Sequence, residues 1–315
     1  CAGQRVVLRF GSVTHTAKVW LNGQLIAQHK GGFTPFEADV TALLQPGETA
    51  LLTVACDNRV NHSTLPVGNE DGQLAFFGSD NAGIPSVEAA KRAAAPQNRP
   101  NFDFFNYAGI HRPVVLYTTP KEYIEDVTIV PAVDGTVQYA VKTTGSAPVR
   151  VTVLDADGNA VASAESAEGT ITIPEVHLWE PRPGTPYLYT LHITCGADVY
   201  DQTFGVRSIE VRGTQVLLNG KPLYFKGFCK HEDFTAHGRG FDPVLNVKDV
   251  NLIHWANANA VRTSHYPYAE EFYDLCDREG ILVMDETPAV GIGGGAARIV
   301  VLENVQNPTG RCLPR

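Results

Sequence analysis

The sequence has a single methionine, Met284, and none at residue 1. No signal peptide or cap precedes its first apolar segment, residues 5–10, so the natural N-terminus is expected upstream of Cys1 and a leader is neither indicated nor excluded. Positive charge is short: 25 Lys and Arg stand against 34 Asp and Glu, a net charge of -9. That balance excludes the basic surface that nucleic acid or an anionic membrane requires. No apolar run approaches the roughly 18 residues that cross a bilayer, so no membrane partner is expected. The six cysteines, at positions 1, 56, 195, 229, 276 and 312, form no CxxC and no paired spacing. They read as free thiols in a reducing compartment, and a cytoplasmic location follows as the expectation. His231, His237 and His265 lack the HxxxH or HExxH spacing of a helical metal site, so no metal is expected.

What is present suffices for two or three packed domains: hydrophobic residues make up 43% and charged residues 19%. Residues 1–118 read as antiparallel β. Val13, Ala17, Val19 and Leu21 alternate with mostly polar neighbours, with His15 on the apolar face. Asn22-Gly23 then marks a hairpin, because both turn positions need positive φ. Pro46-Gly47 turns the chain into a strand over 50–55. A loop of about 40 residues follows, long enough to be functional or disordered. It ends in an aromatic cluster, residues 102–107, before a strand over 114–118. Residues 119–211 carry short strands punctuated by Asp134-Gly135 and Asp157-Gly158, the pattern of a small β-sandwich. Cys195 is the only cysteine there, so an antibody-type disulfide is excluded.

From residue 212 the period changes. Asn219-Gly220 closes a hairpin that leads into a strand over 223–228. Asp242 with Pro243 signals a helix start, continuing to about residue 257 with Val247, Val250 and Ile253 on one stripe. Residues 260–263 read as a strand. Residues 269–279 read as a helix with Phe272, Leu275 and Cys276 inward, stopped by Gly280. Residues 281–284 are apolar throughout, as in a strand covered on both faces. This β-α-β-α-β unit implies a parallel sheet with right-handed crossovers, either a doubly wound sheet or the start of a (β/α)8 barrel.

Each of the three strands ends in polar residues: Lys230-His231-Glu232-Asp233, Arg262-Thr263-Ser264-His265 and Asp285-Glu286. Carboxyl ends of parallel strands are where barrel enzymes place their sites. Arg262 cannot lose its charge, so it needs a carboxylate or an anionic substrate, and Glu232, Asp233, Asp285 and Glu286 are the acids at hand. His231 taken alone reads as a core histidine. Asp285-Glu286 is a poor acid pair for a glycosidase, since adjacent strand residues point to opposite faces. Residues 291–296 match the G-x-G-x-x-A dinucleotide fingerprint, but three residues separate them from the strand, so they read as a flexible loop.

The run Asn259-Ala260-Val261-Arg262-Thr263-Ser264-His265-Tyr266-Pro267, continued through Asp277, Gly280 and residues 281–284, resembles the first signature of glycoside hydrolase family 2. Residues 101–112, with His231-Glu232-Asp233 and residues 264–271, resemble the β-glucuronidase branch, and the likeness runs to about Gly295. It implies three parts: a partial jelly-roll sugar-binding domain over 1–118, an immunoglobulin-like β-sandwich over 119–211, and the first three βα units of a TIM (β/α)8 barrel over 212–315. It implies a β-D-glucuronide as substrate, a homo-oligomer as the intact form and no cofactor. Family members use an acid/base glutamate after the fourth strand and a nucleophile after the seventh. With three strands here, both are expected beyond residue 315, no residue is assigned a catalytic role, and the isolated chain is expected to be inactive. Asp103 and His231 would contact sugar hydroxyls, and Arg262 and His265 would shape the site. Residues 296–315 depart from the family and read as frame-shifted or misassembled sequence. Two alternatives remain: another family 2 glycosidase such as a β-galactosidase, or a carbohydrate-binding remnant without catalysis.

Overall fold

The computed structural model describes residues 3–61, 63–68 and 105–289. Asp103, most of the long loop, residues 102–104 of the aromatic cluster and the segment from 290 onward lie outside them.

The N-terminal part is antiparallel, as the alternation requires. In the strand Thr16–Leu21, Ala17, Val19 and Leu21 are buried and Lys18 is exposed. Asn22 and Gly23 both adopt positive φ, 50° and 81°, and return the chain along Gln24–Lys30. The other neighbour of Thr16–Leu21 is Leu52–Asp57, which starts later than the expected 50–55. The cause is local: Asn22 bonds both polar groups of the Leu51 backbone, its N–H donating to the carbonyl and its side-chain oxygen accepting from the N–H, each at 2.8 Å. A second sheet orders Phe36–Asp39, Arg5–Phe10 and Val114–Thr119. The two sheets share one core, in which Val6, Leu8 and Phe10 meet Val13, Val19 and Leu21.

A second core fills the sandwich over 124–206. One sheet orders Glu168–Thr172, Thr136–Thr143 and Ile124–Pro131; the other orders Ala160–Ala164, Val149–Leu154, Tyr189–Cys195 and Asp198–Phe204. Tyr189, Leu191, Ile193 and Cys195 all point into that core, a strict period of two. Cys56, Cys195, Cys229 and Cys276 are free thiols.

A three-stranded hairpin sheet, Ile209–Arg212, Gln215–Leu218 and Lys221–Leu223, leads to the parallel unit. Here the structure corrects the continuous strand expected over 223–228: pairing stops at Leu223 and a new strand runs Gly227–Lys230. The two belong to different sheets, and Gly227 packs so closely on the carbonyl of Ala260 that a Cβ would collide with it. Gly227–Lys230, Ala260–Thr263 and Leu282–Met284 pair in parallel in that order. The first helix, Pro243–Trp255, is capped by Asp242, whose carboxylate accepts from the Val244 and Leu245 N–H groups. Its inward face is Asn246, Val250 and Ile253: two of the three residues expected on the stripe are buried, and the third, Val247, is exposed while Asn246 takes the inward place. The second helix, Glu270–Glu279, buries Phe272, Tyr273 and Cys276 and ends at Gly280 with φ 72°. Among the described residues no helix is long and apolar enough to cross a membrane.

The sandwich grips the second helix through its C-terminus. Trp179, wholly buried, donates from Nε1 to the Asp277 carbonyl at 2.9 Å. Arg182 donates from its backbone to the Gly280 carbonyl at 3.1 Å and pairs with Glu279 at 2.9 Å. Burial at this contact pushes the Asp277 carboxyl up to about 7, outweighing the nearby Arg207 and Arg278 charges, and Asp274 adds to the rise. A raised acid binds a proton in the folded chain that the unfolded chain has released. Its stabilisation is complete below the ordinary carboxylate range and is lost as pH rises through about 7. We expect Asp277→Asn to flatten the decline in thermal stability between about pH 5 and 8 and to raise the unfolding temperature at the alkaline end. Thermal unfolding scans of both proteins across that range check it.

Candidate active site

The parallel register brings the three polar strand ends to one rim. Cys229 lies opposite Arg262, and Lys230 opposite Thr263. On the far side Arg262 lies opposite Met284, one residue before Asp285. The chain therefore delivers His231, Arg262, His265 and Glu286 to the same end of the sheet.

Glu286 is the acceptor that joins them. Its Oε1 takes a hydrogen bond from Arg262 Nε at 2.6 Å, and its Oε2 lies 3.0 Å from His265 Nδ1. Arg262 Nη2 also lies 3.1 Å from that imidazole nitrogen. A guanidinium only donates and a carboxylate only accepts, so Nδ1 serves one of them at a time: protonated it donates to Glu286, unprotonated it accepts from Arg262. Arg262 further donates to the Cys229 thiol at 3.5 Å. Hydrogen bonding to Glu286 raises the Arg262 pKa above its already high ordinary value. Of the four acids available to Arg262, the structure selects Glu286.

Asp285 turns the other way, as strand alternation demands. Its carboxylate accepts from Thr263 Oγ1 at 2.6 Å and from the Tyr273 hydroxyl at 2.7 Å. Burial pushes its pKa up, and these two bonds oppose the rise. The neighbouring carboxyls thus serve separate networks. Glu286 is one of the four acids expected for Arg262, but its sharing with His265 is not foreseen by the sequence; the Arg-x-x-His spacing, followed by an acid on the next strand, is the signal for it.

His231 stands at the end of the first strand, a third exposed, with its ring 5.3 Å from that of His265 and perpendicular to it within about 11°. Its Nδ1 lies 3.5 Å from Asp233 Oδ2. Glu232 is held from the N-terminal domain: Arg112 approaches it at 3.5 Å while donating to the carbonyls of Phe33 and Pro267. Phe33 stacks on Tyr266 at 4.5 Å, and Arg9 grips Glu270 through two bonds of 2.7 and 2.8 Å. A cavity of about 450 Å³ opens beside this loop, lined by His231, Asp233 and Arg239 and, from the first helix, by Leu252 and Trp255. Asp103, the other residue expected at the sugar, lies outside the described residues.

This geometry matches known proteins along almost the whole chain. The family 2 glycosyl hydrolase sugar-binding domain matches residues 1–120, the description "Glycosyl hydrolases family 2" matches 122–207, and that family's TIM barrel domain matches 209–308. The chain belongs to glycoside hydrolase family 2. Its architecture is that of the family: sugar-binding β domain, immunoglobulin-like sandwich and the beginning of a TIM barrel. A β-glucuronidase of Paenibacillus borealis is 44% identical over 301 residues, 92% of this chain and 48% of that protein. The β-glucuronidase of Canis lupus familiaris is 44% identical over 308 residues, 92% of this chain and 46% of that protein. Among solved structures, a Bifidobacterium dentium β-glucuronidase complexed with coumarin-3-O-glucuronide superposes with a TM-score of 0.83 at 52% identity, covering 92% of this chain and 51% of that one. A Ruminococcus gnavus β-glucuronidase in complex with D-glucuronic acid gives a TM-score of 0.79 at 39% identity, covering 92% and 48%. This family 2 chain spans about half the length of the relatives it matches.

Glu286→Gln leaves Arg262 without its carboxylate and His265 without a charged acceptor. Because the Arg262 side chain is 30% exposed, water compensates in part. The expected loss of stability is about 1–3 kcal/mol, below that of a fully buried pair. Urea unfolding of the variant beside the parent measures it.

Proposed function

We propose that the protein carrying this chain is a β-glucuronidase that hydrolyses β-D-glucuronides with retention of configuration. The observation that carries the reading is the cluster of His231, Arg262, His265 and Glu286 at the carboxyl ends of parallel strands, in a chain 44% identical to proteins named β-glucuronidase. In a retaining mechanism a general acid protonates the glycosidic oxygen, a carboxylate forms a glycosyl-enzyme, and water resolves it, with the two carboxyls about 5 Å apart. We assign His231 and Asp103 to sugar hydroxyls. Arg262 and His265 shape the floor of the site, and the Arg262 charge stabilises an anionic nucleophile placed near it. The substrate is a small-molecule glucuronide. Four free thiols support a cytoplasmic location, and a homo-oligomeric intact form rests on the family resemblance.

The test is hydrolysis by the complete gene product of an aryl β-D-glucuronide beside the matching β-D-galactoside. A glucuronide preference of at least about a hundredfold is expected, since a site that pairs a substrate charge rejects analogues lacking it. Preference for the galactoside would replace this reading with another family 2 glycosidase. Sugar binding without turnover would leave a carbohydrate-binding protein.

A further inference from the structure

Two arginines stand behind the loop that presents His231. Arg112 approaches Glu232. Arg239 lines the same cavity as Asp233 and is only 4% exposed, yet its Nε and Nη2 have no hydrogen-bond partner among the described residues. Its guanidinium is held among aromatic faces instead: 4.7 Å from the Phe33 ring centre, 5.0 Å from Tyr266 and 5.7 Å from Tyr107. Aromatic faces attract a cation but do not neutralise it. A negative charge that acts with it is Asp233, whose Oδ1 is likewise buried without a hydrogen bond among the described residues. Burial alone would raise the Asp233 carboxyl, but the His231 bond and the Arg239 charge outweigh it and keep the group below the usual carboxylate range. Tyr266 donates to Asp233 Oδ2 at 3.3 Å, on the oxygen that faces His231 Nδ1 at 3.5 Å.

We propose that Asp233 and Arg239 are positioning residues that set the ring orientation and tautomer of His231. This deepens the reading given above, in which His231 meets a sugar hydroxyl. A carboxylate on Nδ1 favours the proton there, which makes Nε2 the nitrogen that accepts from the sugar. Arg239 acts at one remove. It keeps Asp233 charged and, through Phe33 and Tyr107, ties the loop to the N-terminal domain. A merely structural Arg239 would steady the fold without governing which nitrogen of His231 carries the proton.

The distinguishing measurement is nitrogen NMR of the 315-residue chain labelled with 15N-histidine, at a pH where His231 is neutral. The parent is expected to show His231 protonated mainly on Nδ1. Asp233→Ala should lower the ratio of Nδ1–H to Nε2–H about tenfold, the strength of a charge-assisted hydrogen bond. Arg239→Ala should lower it less, and Arg239→Lys, which keeps the charge, should restore most of it. Circular dichroism of each variant reports folding. If Arg239→Ala does not fold, Arg239→Gln and Asp233→Asn carry the comparison. An unchanged ratio in folded Asp233 variants overturns the proposal, and a ratio that moves in them but not in folded Arg239 variants overturns the part assigned to Arg239. In the complete gene product, Asp233→Ala should lower kcat/KM for an aryl glucuronide by about tenfold or more, in parallel with the tautomer shift. Absence of glucuronide turnover in the parent would count against the proposed function alone, because the tautomer ratio is read without substrate.

Discussion

The charge of Arg262 is the constraint around which the rim of the parallel sheet is arranged. A guanidinium cannot be neutralised by losing a proton, and here it stands at the end of the middle strand. It therefore requires a carboxylate within reach, and the register that sets Arg262 opposite Met284 brings Glu286 two residues later. Glu286 then has a second oxygen to share, which takes His265. Because alternation turns Asp285 away, that carboxyl needs its own donors, and Thr263 and Tyr273 supply them. Tyr273 in turn accepts the Tyr268 backbone N–H at 2.8 Å, and the Tyr268 hydroxyl donates to the Lys230 carbonyl at the end of the first strand. One fixed charge thus propagates through all three strand ends.

The barrel segment does not hold its rim alone. Glu270 lies in the first turn of the second helix, where a negative charge is favoured by the helix dipole, and Arg9 of the N-terminal domain adds two hydrogen bonds to it. Phe33 stacks on Tyr266, and Arg112 spans from the Phe33 carbonyl to the Pro267 carbonyl. At the opposite end of the same helix, the sandwich binds Asp277, Glu279 and Gly280. The second helix is clamped at both termini by different domains. That explains why a helix of ten residues, short for one that is stable in isolation, keeps a fixed position beside the site.

Local signals were legible in the sequence and distant ones were not. The Asn22-Gly23 turn, the Asp242-Pro243 helix start and the Gly280 stop each act over a few residues, and the structure shows all three. The strand Ala260–Thr263 was readable to the residue. The face of the first helix was legible only in part: Val250 and Ile253 are buried as expected, but Val244, Val247, Leu252 and Trp255 scatter apolar side chains around its exposed side while the polar Asn246 is buried. The break after Leu223 was hidden for a similar reason: an apolar run is compatible with one strand or with two short ones in different sheets. The partners of Glu270 and Pro267 lie 261 and 155 residues away, and no local pattern in Arg9 or Arg112 announces them. At the site, residue types and rim could be inferred from strand ends, but the pairing of Glu286 with both Arg262 and His265 required the register.

A protein that only binds a neutral sugar has little physical reason to concentrate charge in this way. Hydroxyl recognition is served by separate amides, hydroxyls, carboxylates and aromatic faces, and does not require charges paired with one another. The strand ends instead hold a guanidinium, two carboxylates and an imidazole, with Asp285 and Glu286 both nearly inaccessible to water. Such a cluster is costly unless each charge is matched, and it is matched here by a specific geometry rather than by solvent. Fixed charges of this kind contribute most where a reaction develops or moves charge, because they need no reorganisation when it does. The same preorganisation suits an anionic sugar carboxylate or an anionic nucleophile placed opposite Arg262. On this ground the electrostatics of the rim fit the hydrolase proposed above better than a passive binding module.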